Sequence, residues 1–90
     1  ESVKLLIKAF MTLENEEECR AFLEDIMTTK EILDISQRVV VAKMLSEQAV
    51  YNKIAEETGA STATISRVNR SYSYGTGAYK TVLERLEKKN

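Results

Sequence analysis

The stretch YNKIAEETGASTATISRVNR at residues 51–70 decides the fold of this 90-residue chain. Gly59 separates two short helical patterns, and glycine adopts without strain the left-handed backbone that ends many helices. Ser61 follows at a position where its hydroxyl can cap the second helix. The small and apolar residues that would pack the two helices together are Ile54, Ala55, Thr58, Ala60, Ile65 and Val68. This spacing predicts a helix-turn-helix over residues 49–71.

The outer face of the second helix is suited to the major groove of duplex DNA. It carries short polar groups, a methyl group and two arginines, and residues 61–70 include no acid. Small residues allow close approach, hydroxyls bond phosphates or base edges, and arginine bonds phosphate or guanine. The predicted DNA-binding residues are Asn52, Ser61, Thr62, Ala63, Thr64, Ser66, Arg67 and Arg70. The alternative is a helical hairpin with a purely structural role.

The charge of the chain is unevenly distributed. The net charge is only −1, but residues 1–49 carry six basic and ten acidic side chains (−4), whereas residues 50–90 carry seven and four (+3). Contact with phosphate depends on local positive charge rather than on the total. The split therefore favours nucleic-acid binding by the C-terminal half.

Helical periodicity continues on both sides of this stretch, and the chain contains no proline. A first helix is predicted from Ser2 to about residue 13, and a second follows Asn15, a plausible N-cap. Thr28 and Glu31 form a capping-box pattern that opens a third helix ending near Ser46. That third helix is apolar nearly all round, which predicts a place at the centre of a domain or between two subunits. A last helix is predicted over residues 76–89.

An enzyme is not expected. The chain has no histidine, which excludes the commonest general base and zinc ligand, and its single Cys19 lies on an apolar stripe that predicts a core position. No metal site and no membrane span are expected, and the cytoplasm is the expected location. Three tyrosines follow the helix-turn-helix. We expect Tyr79 in the core and Tyr72 and Tyr74 in the joint with the last helix, although a stacking platform for single-stranded nucleic acid is an alternative.

The order of motifs resembles the Trp repressor superfamily, and more closely its YerC/YecD-type branch. The resemblance covers most of the chain and is carried by Met-Thr-Thr-Lys-Glu at residues 27–31, by Gln37 and Arg38, and by Gly-Ala-Ser-Thr-Ala-Thr-Ile-Ser-Arg at residues 59–67. It implies one Trp-repressor-like domain over residues 1–90 with six helices. Residues 1–46 would form the dimerisation core of an intertwined homodimer, and residues 49–71 and 76–89 the helix-turn-helix and the C-terminal helix.

The resemblance also implies a candidate effector pocket. Arg38 and Arg67 match the two arginines that border the tryptophan pocket of Trp repressors, and Thr28 matches a threonine that lines it. Val68 stands where those repressors have a glycine, and its side chain would intrude on the space of the indole. We therefore do not expect tryptophan as the ligand, and no cofactor is assigned. The alternative role of Arg38 is an ion pair with an acid such as Asp34.

The predicted function is that of a sequence-specific transcription regulator of the repressor type that binds double-stranded DNA as a homodimer. Two alternatives stay open at this level. One is a helical module that docks another protein through its exposed helix. The other is a protein that binds DNA without sequence preference.

Overall fold

The computed structural model describes residues 1–89, whose regular structure consists of six α-helices. They are α1 (Ser2–Met11), α2 (Glu16–Ile26), α3 (Thr29–Ser46), α4 (Tyr51–Thr58), α5 (Thr62–Tyr74) and α6 (Ala78–Lys89). The prediction of an all-α chain with six helices is confirmed. None of the helices in residues 1–89 has the length and apolar character needed to cross a bilayer.

Two helices begin at the caps that their sequences predict. The side chain of Asn15 accepts a hydrogen bond from the backbone N–H of Glu18 at 2.9 Å. At the start of α3, the Thr28 hydroxyl accepts from the Glu31 N–H at 3.1 Å, and the Glu31 carboxylate accepts from the Thr28 N–H at 2.8 Å. Each bond satisfies a backbone donor that the first turn of a helix leaves free, and such a cap stabilises by about 1 kcal/mol.

The chain divides into two units, residues 1–33 and 34–90. The first unit contains α1, α2 and the beginning of α3, and its aromatic pair Phe10 and Phe22 meets edge to face with ring centroids 5.3 Å apart. No residue of this unit is buried. Cys19 is exposed, so its predicted core position is wrong in the single chain. The cause is that the apolar stripe of α2 is only partly covered within the unit.

The second unit holds the buried core of the described residues. Its buried side chains come from α3, from α4 and the turn after it, and from α5: Val41, Ala42, Ile54, Ala60, Ile65 and Val68. Tyr79 and Leu83 of α6 pack against this cluster, as predicted for Tyr79. The helix-turn-helix is therefore seated on the C-terminal half of α3 and flanked by α6.

Much of the apolar surface of α3 is left open in the single chain. Val41 and Ala42 are buried, but Leu33 is 63% exposed and Val40 is 48% exposed. The sequence allowed two positions for α3, the centre of a domain or the space between two subunits. The N-terminal half of α3 does not lie at the centre of the single chain.

Candidate nucleic-acid interface

The turn between α4 and α5 has the backbone that the sequence predicts. Gly59 has φ 74°, in the left-handed region, and its N–H donates to the carbonyl of Ala55 at 2.9 Å. The Thr58 hydroxyl donates to the carbonyl of Ile54 at 2.7 Å and accepts from the N–H of Ala60 at 3.1 Å. A Cβ built on Gly59 would meet no atom within 4 Å. The glycine is therefore needed for its backbone conformation and not for lack of space.

A side chain of α3 holds the same turn from outside. The amide nitrogen of Gln37 donates to the carbonyl oxygen of Thr58 at 3.0 Å, and the contact is partly buried. This bond satisfies one of the carbonyls that the end of α4 leaves without a helical partner. The contact joins residues 21 positions apart, and sequence patterns assigned Gln37 no structural role.

α5 is fixed at its start and along its inner face. The Ser61 hydroxyl accepts from the N–H of Thr64 at 3.1 Å, which confirms the predicted cap. Ile65 is fully buried and Val68 is 4% exposed, so these two residues seat the helix. A polar contact adds to this, because the side-chain amide of Asn69 donates to the hydroxyl of Tyr51 on α4 at 3.1 Å. The helix is thus presented rigidly, with its opposite side towards solvent.

The predicted DNA-binding residues of α5 lie on two parts of its surface. Ala63, Arg67 and Arg70 recur at i, i+4 and i+7 on the side opposite the core, and all three are exposed. Thr62 and Ser66 are exposed on one flank of this stripe, whereas Thr64 is half-buried on the other. Asn52 is exposed in the first turn of α4. Among these residues, only Ser61 and Thr64 are engaged in the cap and partly removed from the free surface.

The other flank of α5 borders an open cavity of about 170 Å³ in the second unit. Its lining residues are Arg38, Thr64, Arg67, Val68, Ser71 and Tyr79. No acidic side chain lines it. Thr28 lies in the first unit, where it caps α3.

Acidic residues are absent from a long segment of the sequence around α5. Residues 61–83 contain no Asp or Glu, whereas Arg67, Arg70 and Lys80 lie within them. Clustered positive charges raise the local potential and attract anions. The acid-free segment is therefore longer than α5 and extends into α6.

Sequence patterns placed one aromatic residue wrongly. The ammonium group of Lys80 on α6 lies 5.2 Å from the ring centroid of Tyr72, which agrees with a joint between the two helices. Tyr74, predicted in the same joint, is 88% exposed. The reason is that α5 continues to Tyr74, four residues past the quoted motif, so that helical periodicity turns this side chain away from the core. A glycine directly after Tyr74 was the available indication of where the helix ends.

Comparison with known proteins identifies relatives over almost the whole chain. Residues 1–87 match the family model described as Trp repressor protein. YerC of Bacillus subtilis strain 168, an uncharacterized protein, is 48% identical over 82 residues, which are 91% of this chain and 79% of YerC. The crystal structure of a TrpR-like protein from Eubacterium eligens ATCC 27750 has 53% identity and a TM-score of 0.92, covering 96% of this chain and 89% of that one. A Trp repressor candidate from Staphylococcus aureus has 48% identity and a TM-score of 0.92, covering 96% and 86%.

Proposed function

The chain belongs to the Trp repressor family, whose members are DNA-binding regulators and not enzymes, and from this premise we propose that it recognises specific duplex sequences as a homodimeric repressor. The observation that carries the proposal is the outer face of α5. It combines small side chains with two exposed arginines on a helix held by buried contacts, and residues 61–83 contain no acid. Such a regulator would act in the cytoplasm, on the nucleoid.

Each predicted residue receives a role in this proposal. Arg67 and Arg70 supply contacts to phosphate or to guanine, which carry most of the electrostatic affinity. The small residues of α5 supply contacts with base edges and with thymine methyl groups, because they allow the helix backbone to approach the bases. Ser61 and Asn52, at the first turns of α5 and α4, reach the sugar-phosphate backbone. The base-edge contacts come from Thr62, Ala63, Thr64 and Ser66.

Exposed apolar surface supports the homodimer. Fifteen large apolar or aromatic side chains are exposed in residues 1–89, and eleven of them lie between Val3 and Val40. Leu5 is 69% exposed and Ile7 is 56% exposed. Isolated exposed apolar residues are ordinary on a monomer, but a concentration of this kind marks an interface. We therefore assign residues 1–46 to dimerisation, which would present two copies of α5 to major-groove segments about 34 Å apart.

Titration of labelled duplexes at several salt concentrations tests the proposal. Arg67→Ala and Arg70→Ala should each weaken binding, and each lost phosphate contact should flatten the log–log salt slope by about 0.9. Arg85→Ala is the matched control, because it removes the same charge from an exposed position on α6. Binding that is absent at low salt, or that survives both substitutions, would refute the proposal.

Competition experiments separate the two alternatives. Selection of bound sites from a random duplex pool, followed by competition with unrelated duplex, distinguishes sequence-specific binding from uniform binding. A protein partner captured by the wild-type chain and not displaced by DNA would favour the interaction module instead.

We further propose that the cavity beside α5 is an effector pocket, formed by Arg38, Arg67 and Val68. Two guanidiniums in a lining that contains no carboxylate favour an anionic ligand. The volume of about 170 Å³ is below the roughly 300 Å³ at which drug-sized ligand pockets begin, and the Val68 side chain forms part of its wall. The pocket therefore suits a small anion better than the indole of tryptophan.

A further inference from the structure

Tyr74 is an exposed aromatic residue to which neither the fold nor the proposed contacts assign a role. Its 88% exposure is the highest among the exposed large apolar and aromatic side chains of residues 1–89. An aromatic side chain normally buries a large area, and its hydroxyl normally finds a partner when the ring is buried. In the single chain, the ring of Tyr74 buries little area and is not in the buried setting where its hydroxyl would find a partner. The neighbouring Tyr72, by contrast, is half-buried beneath Lys80.

The backbone fixes Tyr74 at the end of the recognition helix. Gly75 leaves the helix with an extended backbone (φ −82°, ψ −151°), and its N–H donates to the carbonyl of Ser71 at 2.9 Å. A Cβ at position 75 would collide with that same carbonyl oxygen. Only glycine is accommodated there, so α5 ends at Tyr74 and the phenol ring projects from an ordered last turn rather than from a loop.

Tyr74 also belongs to the stripe that carries the arginines. Ala63, Arg67, Arg70 and Tyr74 follow one another at i, i+4, i+7 and i+11 on the side of α5 opposite the core. At about 1.5 Å per residue, Tyr74 lies about 16 Å along the helix axis from Ala63, which exceeds the major-groove width of about 12 Å. With the N-terminal half of α5 at the base edges, Tyr74 lies beyond the groove, beside the sugar-phosphate backbone.

On the basis of the proposed function, we propose that the Tyr74 hydroxyl donates a hydrogen bond to a DNA backbone phosphate, one helical turn beyond Arg70. Tyrosine is among the side chains that bond phosphate oxygens, and such contacts position a protein without reading sequence. The phenol is uncharged, so its contact adds affinity without neutralising a phosphate and without releasing a counterion. This separates its contribution from that of the two arginines.

Titrations of one specific and one unrelated duplex with the full chain test this contact. Tyr74→Phe removes only the hydroxyl, and loss of a hydrogen bond to a charged group corresponds to a loss of affinity of about ten- to a hundredfold. We expect that loss on both duplexes, with the salt slope unchanged. Arg70→Ala should flatten the slope instead. Tyr72→Phe is the matched control, because it removes a hydroxyl from the same helix while keeping the ring beneath Lys80, and it should bind as the wild type does.

The outcomes distinguish this contact from the proposed function. If the wild type binds duplex DNA and Tyr74→Phe binds it with the same affinity, the Tyr74 contact alone is overturned. A loss of affinity confined to the specific duplex overturns it in favour of a base contact. A loss of dimerisation in Tyr74→Ala, seen by sedimentation, overturns it in favour of a subunit contact. Tighter wild-type binding to single strands, lost in Tyr74→Ala, overturns it in favour of base stacking. No wild-type binding to any duplex overturns the proposed function as well.

Discussion

Replacement of Gly59 by alanine should destabilise the chain through backbone strain alone. The residue has φ 74°, and an L-residue in the left-handed region costs roughly 1–2 kcal/mol. A Cβ at this position would meet no atom within 4 Å, so no steric term is added. Alanine also removes conformational freedom from the unfolded chain, which offsets part of the strain. We therefore expect Gly59→Ala to lower the free energy of unfolding by about 1 kcal/mol.

Urea denaturation followed by circular dichroism measures this change. All variants should be compared at one protein concentration, because the stability of the proposed dimer would depend on concentration. Gly59→Asn should lose less than Gly59→Ala, since asparagine tolerates the left-handed region better. Gly75→Ala should lose more than either, because its Cβ would meet the backbone of Ser71. Equal losses for alanine and asparagine at position 59, or a loss above about 3 kcal/mol there, would refute the assignment to backbone strain.

Two further predictions concern the dimer and the cavity. Ile7→Glu should weaken dimerisation at least tenfold in sedimentation equilibrium, because the proposed interface would bury a charge without a partner. Lys8→Glu, at a neighbouring exposed position, should leave the dimer nearly intact, and a dimer unaffected by Ile7→Glu would contradict the assigned interface. Calorimetric titration of tryptophan should detect no binding to the wild type. Val68→Gly should gain tryptophan binding while losing about 3 kcal/mol of stability through lost burial and lower helix propensity. Micromolar tryptophan binding by the wild type would contradict the proposal that Val68 excludes the indole.

Local signals in the sequence were sufficient for most of the fold. The caps at Asn15, Thr28 and Ser61 and the left-handed Gly59 each depend on residues within four positions, and all four were predicted correctly. The inward residues of the helix-turn-helix were predicted for the same reason, because its two helices are joined by a short turn. Family resemblance supplied the order of six helices.

The features that were missed depend on long-range contacts or on the exact end of a helix. The bond from Gln37 to Thr58 joins distant positions, and no periodic pattern indicates such a contact. Tyr74 was misplaced because the end of α5 was set near residue 71, three residues short, and three residues turn a helical side chain by most of a revolution. The exposure of Cys19 was missed because an apolar stripe does not indicate whether residues of the same chain will cover that stripe.

The hydrogen bond between Gln37 and the turn after α4 determines how long a segment must be to be grafted between proteins of this fold. A graft limited to residues 51–70 would leave behind Val41 and Ala42, which complete the core beneath α5, and Gln37, which holds the end of α4. α5 would then lose the core residues on which it packs, and the turn before it would lose the hydrogen bond from Gln37. A swap that transfers DNA specificity to another scaffold should therefore begin at residue 34, ahead of the last three turns of α3, and not at the first residue of the motif.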